Sequence, residues 1–365
     1  MKLLVVVRPY AFHGGIERAT AGLVDALREH GHAVELLVPG GGIGPAGVPV
    51  RTVPLPPLPS AARTLALVVG VRLVLRSRRW DVVQSHERTL GQDVYRAGEG
   101  CHRAYLAATN SGRRRALHHR VTLAIERRVF ATTPQVVAIA HAGAREIAAL
   151  YGVPSGRLSV VYNGVDLDRF HPDRREQWRA RALQEAGLPS DAWLALFVGS
   201  GFVRKGLETA LRGFAAVDDG AARLAVIGRG DRGPYARLAR TLGVGDRVVW
   251  LGPRPDVERW YAAADVVTLP SRYEPFGNVH LEALASGVPV VASTRAGGAE
   301  VVDEACGGVV DPDDAAALAR VLLRLRAGDR AAQAAVARAA AEPYTYARQV
   351  AGFERIYRTT THASR

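Results

Sequence analysis

Residues Leu269 to Thr294 read LPSRYEPFGNVHLEALASGVPVVAST, a loop, a short helix, a turn and a strand in succession. Pro275 disfavours helix at Glu274, and Gly277 lets the backbone turn. A helix is expected from about Asn278 to Ser286, closed by Gly287 and Pro289. Val288 to Ser293 has the continuous apolar character of a strand buried on both faces. The helix start aims N–H groups and a positive dipole end at residues 276–279, an arrangement that holds a phosphate. Glu274 precedes that point and Glu282 follows one turn beyond it. Read singly, each is an ordinary surface glutamate. Flanked together by Gly and Pro punctuation, they bracket an anion site.

Working outward, the preceding residues alternate strands and helices. Leu194 to Val198 is a strand, followed by Gly199-Ser200-Gly201-Phe202-Val203-Arg204-Lys205-Gly206 and a helix near Leu207. A glycine-bearing loop with two cations before a helix makes a second anion site. It lacks the Gly-Lys-Ser/Thr pattern of a Walker loop, so ATP hydrolysis is not indicated. Strands follow at Leu224–Ile227, Val248–Leu251 and Asp265–Leu269, with a helix from about Val257. Ala315 to Ala341 reads as helix, and a last helix runs from about Tyr344 to Thr359. Strands alternating with helices predict a parallel α/β domain.

The first half repeats the pattern. Lys2–Val7 is a strand, Arg8–Gly15 a loop with Gly14-Gly15, Ile16–Gly31 a helix and Val34–Val38 a strand. The glycine pair is not G-x-G-x-x-G, so the dinucleotide fingerprint is missing, although the backbone there still permits close approach to a phosphate. Residues 39–60 read as a Gly- and Pro-rich connection, and Ala61–Arg79 as a helix. The strand Asp81–Gln84 ends in Ser85-His86-Glu87-Arg88, at the strand end where open α/β sheets place ligands. Glu99 lies between Gly98 and Gly100, exposed to a ligand on that reading. Val136–Ala140 is a strand and His141–Leu150 a helix. Asn163-Gly164 and His171-Pro172 mark a domain boundary.

The chain has 365 residues, 48% hydrophobic and 23% charged, with two cysteines and a net charge of +13. That suits two globular domains and excludes a disulfide scaffold. Leu3–Val7 is too short for a secretory signal, and no apolar run reaches a membrane span. The charge is uneven: residues 1–165 carry 21 Lys+Arg against 10 Asp+Glu. The excess concentrates in Arg103–Phe130, where Arg113, Arg114, Arg115, Arg120, Arg127 and Arg128 interleave with apolar side chains. A basic amphipathic helix there would lie on an anionic membrane surface. Nucleic acid is not expected, since no nucleic-acid fold signature occurs.

Gly14-Gly15, Asn163-Gly164-Val165-Asp166, Phe202-Val203-Arg204-Lys205-Gly206 and Glu274-Pro275-Phe276-Gly277 with Glu282 occur in that order. Together they resemble the retaining glycosyltransferases of family 4. The resemblance implies the GT-B fold: two Rossmann-like, doubly wound parallel-sheet α/β domains facing a central cleft. The domains would be 1–165 for the acceptor and 166–342 for the nucleotide sugar, with 343–365 crossing back. Asp93-Val94-Tyr95, Glu99 and Cys101 further resemble the lipopolysaccharide core glucosyltransferase I group. That implies a hexose, glucose from UDP-glucose, moved to a lipid-linked or phosphorylated glycan such as lipopolysaccharide inner core. The enzyme would be cytoplasmic and peripheral on the inner face of the membrane.

By the same resemblance Arg204 and Lys205 bind the donor diphosphate, Glu274 holds sugar hydroxyls and Glu282 the ribose. Phe276, Gly277, Asn278 and Val279 support the diphosphate through backbone N–H groups, and the loop of Arg254 meets the base. Gly14 and Gly15 approach the phosphates from the first domain. Cations fixed where the leaving diphosphate gains charge stabilise it, and no Asp-x-Asp metal motif occurs, so transfer without metal or other cofactor is expected. Many family members carry a His facing the reacting sugar. Here Glu99 takes that segment, with His102 and His86 near it, either as proton acceptor or as positioning group. His86, His102, Arg103, Arg113, Arg114, Arg115 and Arg120 are the acceptor or membrane candidates. A nucleotide-sugar epimerase of the same architecture and a non-catalytic basic binding protein are the rival readings.

Overall fold

Two sheets, each entirely parallel, organise the chain. The computed structural model describes residues 1–8, 15–42, 44–55, 57–77, 79–109, 116–217 and 220–363, without the side chains of 15, 16 and 361–363. It divides into one unit of Met1–Gly164 with Tyr346–Arg365, and a second of Val165–Thr345.

The first unit runs β1 (Lys2–Val6), α1 (Gly15–Glu29), β2 (Ala33–Pro39), β3 (Val50–Val53), α2 (Ser60–Leu75), β4 (Val82–Ser85) and β5 (Val94–Arg96). It continues with α3 (His102–Thr109), α4 (Ala116–Thr132), β6 (Gln135–Ala138), α5 (His141–Tyr151) and β7 (Leu158–Val160). The seven strands are ordered β3-β2-β1-β4-β5-β6-β7. Leu3 and Val5 join a core with Leu23, Val24 and Leu27 of α1. Leu4 and Val6, on the opposite face, join Val71 and Leu75 of α2. Alternate residues of one strand thus serve two apolar layers, which is why β1 is apolar throughout. Strand order reverses at the β1/β4 pair, so the loops after these strands diverge and leave a crevice at their C-terminal ends.

The second unit runs α6 (Arg174–Glu185), β8 (Trp193–Val198), α7 (Phe202–Lys205), α8 (Leu207–Ala215), β9 (Ala222–Ile227), α9 (Gly233–Thr241) and β10 (Val248–Gly252). Then come α10 (Val257–Ala263), β11 (Val266–Thr268), α11 (Asn278–Ala285), β12 (Val290–Ser293), β13 (Gly307–Val310), α12 (Ala315–Ala327) and α13 (Arg330–Ala341). Its six strands are ordered β10-β9-β8-β11-β12-β13, reversing at β8/β11. Trp193, Ala195 and Phe197 pack with Leu211 and Phe214 of α8 and Leu318 and Leu322 of α12. Leu194 and Leu196, fully buried on the other face, are covered by the layer in which α6, α10, α11 and α13 pack together.

The last helix, α14 (Tyr346–Ala363), returns to the first unit, where Val350, Phe353, Ile356 and Tyr357 complete the core over α1. The boundary therefore falls at Gly164/Val165 and Thr345/Tyr346.

Three expectations are corrected. The Gly/Pro connection 39–60 contains β3, paired in parallel with β2. Ala315–Ala341 is two helices, because Asp329 caps a new one by accepting from Ala332 N at 2.7 Å. The basic stretch Arg103–Phe130 is also not one helix: α3 ends at Thr109 and α4 starts at Ala116. Arg113, Arg114 and Arg115 lie outside the described residues.

Candidate active site

The loops after β8 and β11, the two strands at the reversal in the second unit, carry the cation pair and the carboxylate singled out in the sequence. Phe202–Lys205 forms a single helical turn rather than an open loop, which sets Arg204 and Lys205 at its C-terminal end. Gly206 then turns the chain at φ 75°, where a Cβ would collide with the carbonyl oxygen of Pro270. That close approach joins the two loops, and Arg272 N donating to Arg204 O at 2.8 Å ties them again.

Glu274 receives both cations on one oxygen. Arg204 Nη1 donates to its Oε2 at 3.0 Å and to Tyr273 O at 3.0 Å, and Lys205 Nζ donates to the same Oε2. Lys205 and Glu274 are nearly buried, while Arg204 keeps 29% of its side-chain surface. Burial alone would raise the Glu274 pKa, but Lys205 and then Arg204 outweigh it and hold it at about 2. Burial lowers the Lys205 pKa against the pull of Glu274. One carboxylate facing two cations leaves a net positive site, with Arg204 still reaching solvent. The cluster can bind an anion and stabilise negative charge that grows on it.

Gly277 precedes α11 at φ 87°. His280, on the first turn, is fully buried, and its Nδ1 lies 2.7 Å from Gly277 O. Burial dominates its pKa, lowered to about 4, so the ring is neutral at pH 7 and adds no charge beside Lys205. The sequence reading overlooked it, and His280 at i+3 from Gly277 was the available signal. Phe276 is buried, and its carbonyl accepts from Gly298 N at 2.8 Å. Asn278 and Val279 are half-buried on the first turn of α11. Glu282 is buried and accepts from Tyr261 OH at 2.8 Å, a partner on α10 that sequence spacing does not reveal. Arg254, expected beside a base, is held by Asp256 at 3.0 Å and by Glu185 at 2.5 Å, over the face of Trp260. Its guanidinium is engaged in that network.

In the first unit, Val7, Arg8, Glu17, Thr20, His86, Glu87, Arg96, Gly98 and Glu99 line a cavity at the C-terminal ends of β1, β4 and β5. Glu99 is not a solvated turn residue. Arg88 donates to it at 2.8 Å and Arg8 pairs with its other oxygen. Burial raises its pKa, but Arg8 and Arg88 prevail and lower it. A carboxylate held ionised by two guanidiniums is a weak proton acceptor, which favours the positioning role over the base role. Glu87 shares Arg8 at 3.1 Å, and burial leaves its pKa raised. His86 is buried and neutral, accepting from Gln84 Nε2 at 2.8 Å, with burial first and Arg96 and Arg8 next depressing its pKa.

His102 lies apart from this cavity's lining, with its Nε2 3.1 Å from His119 Nδ1 and its backbone N donating to Glu126 at 2.6 Å. Burial and then Arg88 lower its pKa to about 4. Arg103 and Arg120 are exposed on α3 and α4. Gly15 opens α1, and Gly14 lies outside the described residues.

Two doubly wound units, the second with a cation pair and its carboxylate at the sheet's switch point, define a class of α/β protein whose strand-end loops are built to meet an anion. Residues 13–169 match the family described as Glycosyltransferase Family 4, and residues 193–327 match Glycosyl transferases group 1. The chain is thus built of two glycosyltransferase-family domains. It is 39% identical over 251 residues to D-inositol 3-phosphate glycosyltransferase of Xylanimonas cellulosilytica, covering 65% of this chain and 59% of that protein. It is 28% identical to an uncharacterized glycosyltransferase of Methanocaldococcus jannaschii, covering 85% and 84%. The chain spans 49–59% of the length of D-inositol 3-phosphate glycosyltransferases it matches. Among solved structures it resembles WaaG, a glycosyltransferase involved in lipopolysaccharide biosynthesis (24% identity, TM-score 0.82, 96% and 98% covered). It also resembles HepE of Anabaena in complex with UDP-glucose (20% identity, TM-score 0.75, 99% and 100% covered). Both likenesses place the fold among GT-B proteins.

Proposed function

We propose that this protein is a retaining glycosyltransferase that moves a hexose from a nucleotide donor to a phosphorylated or lipid-linked polyol or glycan. The observation that carries the reading is the Arg204–Lys205–Glu274 cluster at the β8/β11 switch point. In it, Arg204 and Lys205 take the donor diphosphate and stabilise the charge it gains on departure. Glu274 fixes both cations and turns toward sugar hydroxyls when a donor enters. Glu282, oriented by Tyr261, meets the ribose, and the first turn of α11 supports the phosphates.

UDP-glucose is the donor we name, in keeping with the HepE complex. For the acceptor, the names of the relatives favour D-inositol 3-phosphate, whereas the motifs around Glu99 favour a lipopolysaccharide inner core. Both are phosphorylated, and the first half's charge suits such an acceptor presented at an anionic membrane surface. The cation pair supplies what a metal would otherwise give, so the reaction is proposed to run without one.

UDP-, GDP- and ADP-sugars assayed for thermal shift and slow hydrolysis, then with each acceptor, test the reading. Transfer from a UDP-sugar with retained anomeric configuration, undiminished by EDTA, is expected, and Lys205→Ala should lower kcat at least about 100-fold. No response to any donor would favour a non-catalytic binding protein. Epimerised donor without transfer would favour an epimerase.

A further inference from the structure

α2 breaks the pattern of the other helices around the first sheet. A helix that covers a sheet normally shows solvent a polar face. The outward face of α2 instead carries Leu65, Val69 and Leu73, which are 49%, 58% and 55% exposed. Val68, Val71 and Leu75 occupy its inner face. At 100° per residue, Leu65, Val69, Arg72, Leu73 and Arg76 fall within an arc of about 100°. All five are exposed. Leu58 just before the helix is also exposed.

The charge around this stripe has one sign. Between Glu35 and Asp81 the sequence contains no Asp or Glu, but Arg51, Arg63, Arg72, Arg76, Arg78 and Arg79 occur. Glu35 is itself occupied by Arg51 at 2.9 Å and Trp80 at 2.7 Å. The neighbouring helix α4, packed against α2, extends the surface. Leu117 at its start is 67% exposed, Arg120, Arg127 and Arg128 are exposed, and its one carboxylate, Glu126, is buried and paired with Arg88 at 2.8 Å. In the second unit the exposed large apolar side chains, Val203, Val309, Leu323 and Val336, sit singly on separate elements.

We propose that the outward faces of α2 and of the start of α4 dock on an anionic bilayer, with Leu65, Val69, Leu73 and Leu117 seated among the acyl chains. Arg72 and Arg76 share the α2 face, and their aliphatic stems let the guanidiniums reach back to the phosphate headgroups. A protein partner would have to supply an apolar groove ringed with carboxylates. A bilayer supplies both features continuously, and the absence of any exposed carboxylate on either helix is the charge complement it requires. The sequence points to 103–128 as the basic amphipathic membrane segment, and the exposed apolar face of α2 adds the inserting element of this proposal. The proposal rests on the membrane part of the proposed function and not on the sugar or acceptor.

Vesicle flotation of the full chain tests it, using phosphatidylcholine with and without 30% phosphatidylglycerol, at low and high salt. Wild type should float with anionic vesicles and release in high salt. Leu65→Ser/Val69→Ser/Leu73→Ser should bind at least about tenfold more weakly, with thermal stability and donor hydrolysis in solution unchanged. Arg72→Ser/Arg76→Ser should also weaken binding and flatten its salt dependence. Val69→Trp should show blue-shifted emission on anionic vesicles and quenching by brominated acyl chains. Wild type that ignores every vesicle overturns the membrane reading and the docking face together. Triple-serine protein that floats like wild type, or that loses only self-association, overturns the docking face alone, as does an unshifted Val69→Trp emission.

Discussion

At the residue scale, Glu274 and His280 give the second unit a defined acid sensitivity. The folded Glu274 pKa, about 2, lies below its ordinary 4.5 because Lys205 and Arg204 outweigh the burial that opposes them. A depressed carboxylate stabilises the fold above its unfolded pKa, and that stability is lost as pH falls from 4.5 toward 2. The shift corresponds to roughly 3 kcal/mol. His280, held neutral by burial with a folded pKa of about 4, acts over an earlier window. Between pH 6.5 and 4 the unfolded chain binds a proton that the folded chain refuses, so stability falls with pH there too. Urea denaturation of the second unit should therefore weaken from pH 6.5 downward in two overlapping steps. His280→Asn should remove the first step, and Glu274→Gln the second. Glu274→Gln should also cost about 3–5 kcal/mol at pH 7, because Lys205 is left buried without its anion. A variant with wild-type stability and an unchanged pH slope would refute the pairing.

At the element scale, the site depends on two glycines that hold strand-end loops in conformations other residues resist. Gly206 sits at φ 75° against the carbonyl of Pro270, and Gly277 at φ 87° with a Cβ position 2.7 Å from His280. Gly206→Ala is expected to lose about 2 kcal/mol or more from backbone strain and the collision with Pro270. Donor affinity should fall with it, because Arg204 would no longer be tied to the Glu274 loop. A calorimetric midpoint and donor Kd equal to wild type would contradict this. The glycines, the two cations and Glu274 were legible in the sequence because strand-loop-helix punctuation marks each one locally. The family resemblance brought them to one donor site, but the direct ion pair across 69 positions was not legible, since it follows from β8 and β11 being neighbours. Other elements left little local signal. α6 buries only Ala182 and Leu183 fully and is held instead by Arg175 and Arg179, which bond Asp265 and the last carbonyls of α10. β13 reads Gly-Gly-Val-Val, too glycine-rich to suggest a strand, yet Gly307 packs against the backbone of Val290 where a Cβ would not fit. The basic stretch from Arg103 looked continuous because charge pattern carries no information on where a helix stops.

At the scale of the whole molecule, the chain closes its first unit with α14, a helix that follows the second unit in sequence. Phe353 and Tyr357 are fully buried among Leu3, Val5, Leu23 and Leu27. Tyr357 OH also donates to Gln84 Oε1 at 2.7 Å, while Gln84 Nε2 donates to His86. That link runs from α14 through β4 to the floor of the cavity holding Arg8 and Glu99. Burial raises the Tyr357 pKa well beyond its ordinary range, so the hydroxyl keeps its proton and remains the donor throughout the working pH range. Tyr357→Phe removes one hydrogen bond and leaves Gln84 Oε1 buried and unmet, at a cost of about 1–3 kcal/mol. Tyr357→Ala adds a cavity and should cost about 3–5 kcal/mol. Hydrogen exchange distinguishes where that loss falls. In both variants the amides of β1, β2 and β4 should exchange faster, whereas those of β8, β11 and β12 keep wild-type protection, because Tyr357 belongs to the core of the first unit. Acceleration spread equally over both sheets would show that the two units unfold as one cooperative body and that α14 is not the first unit's own closing element.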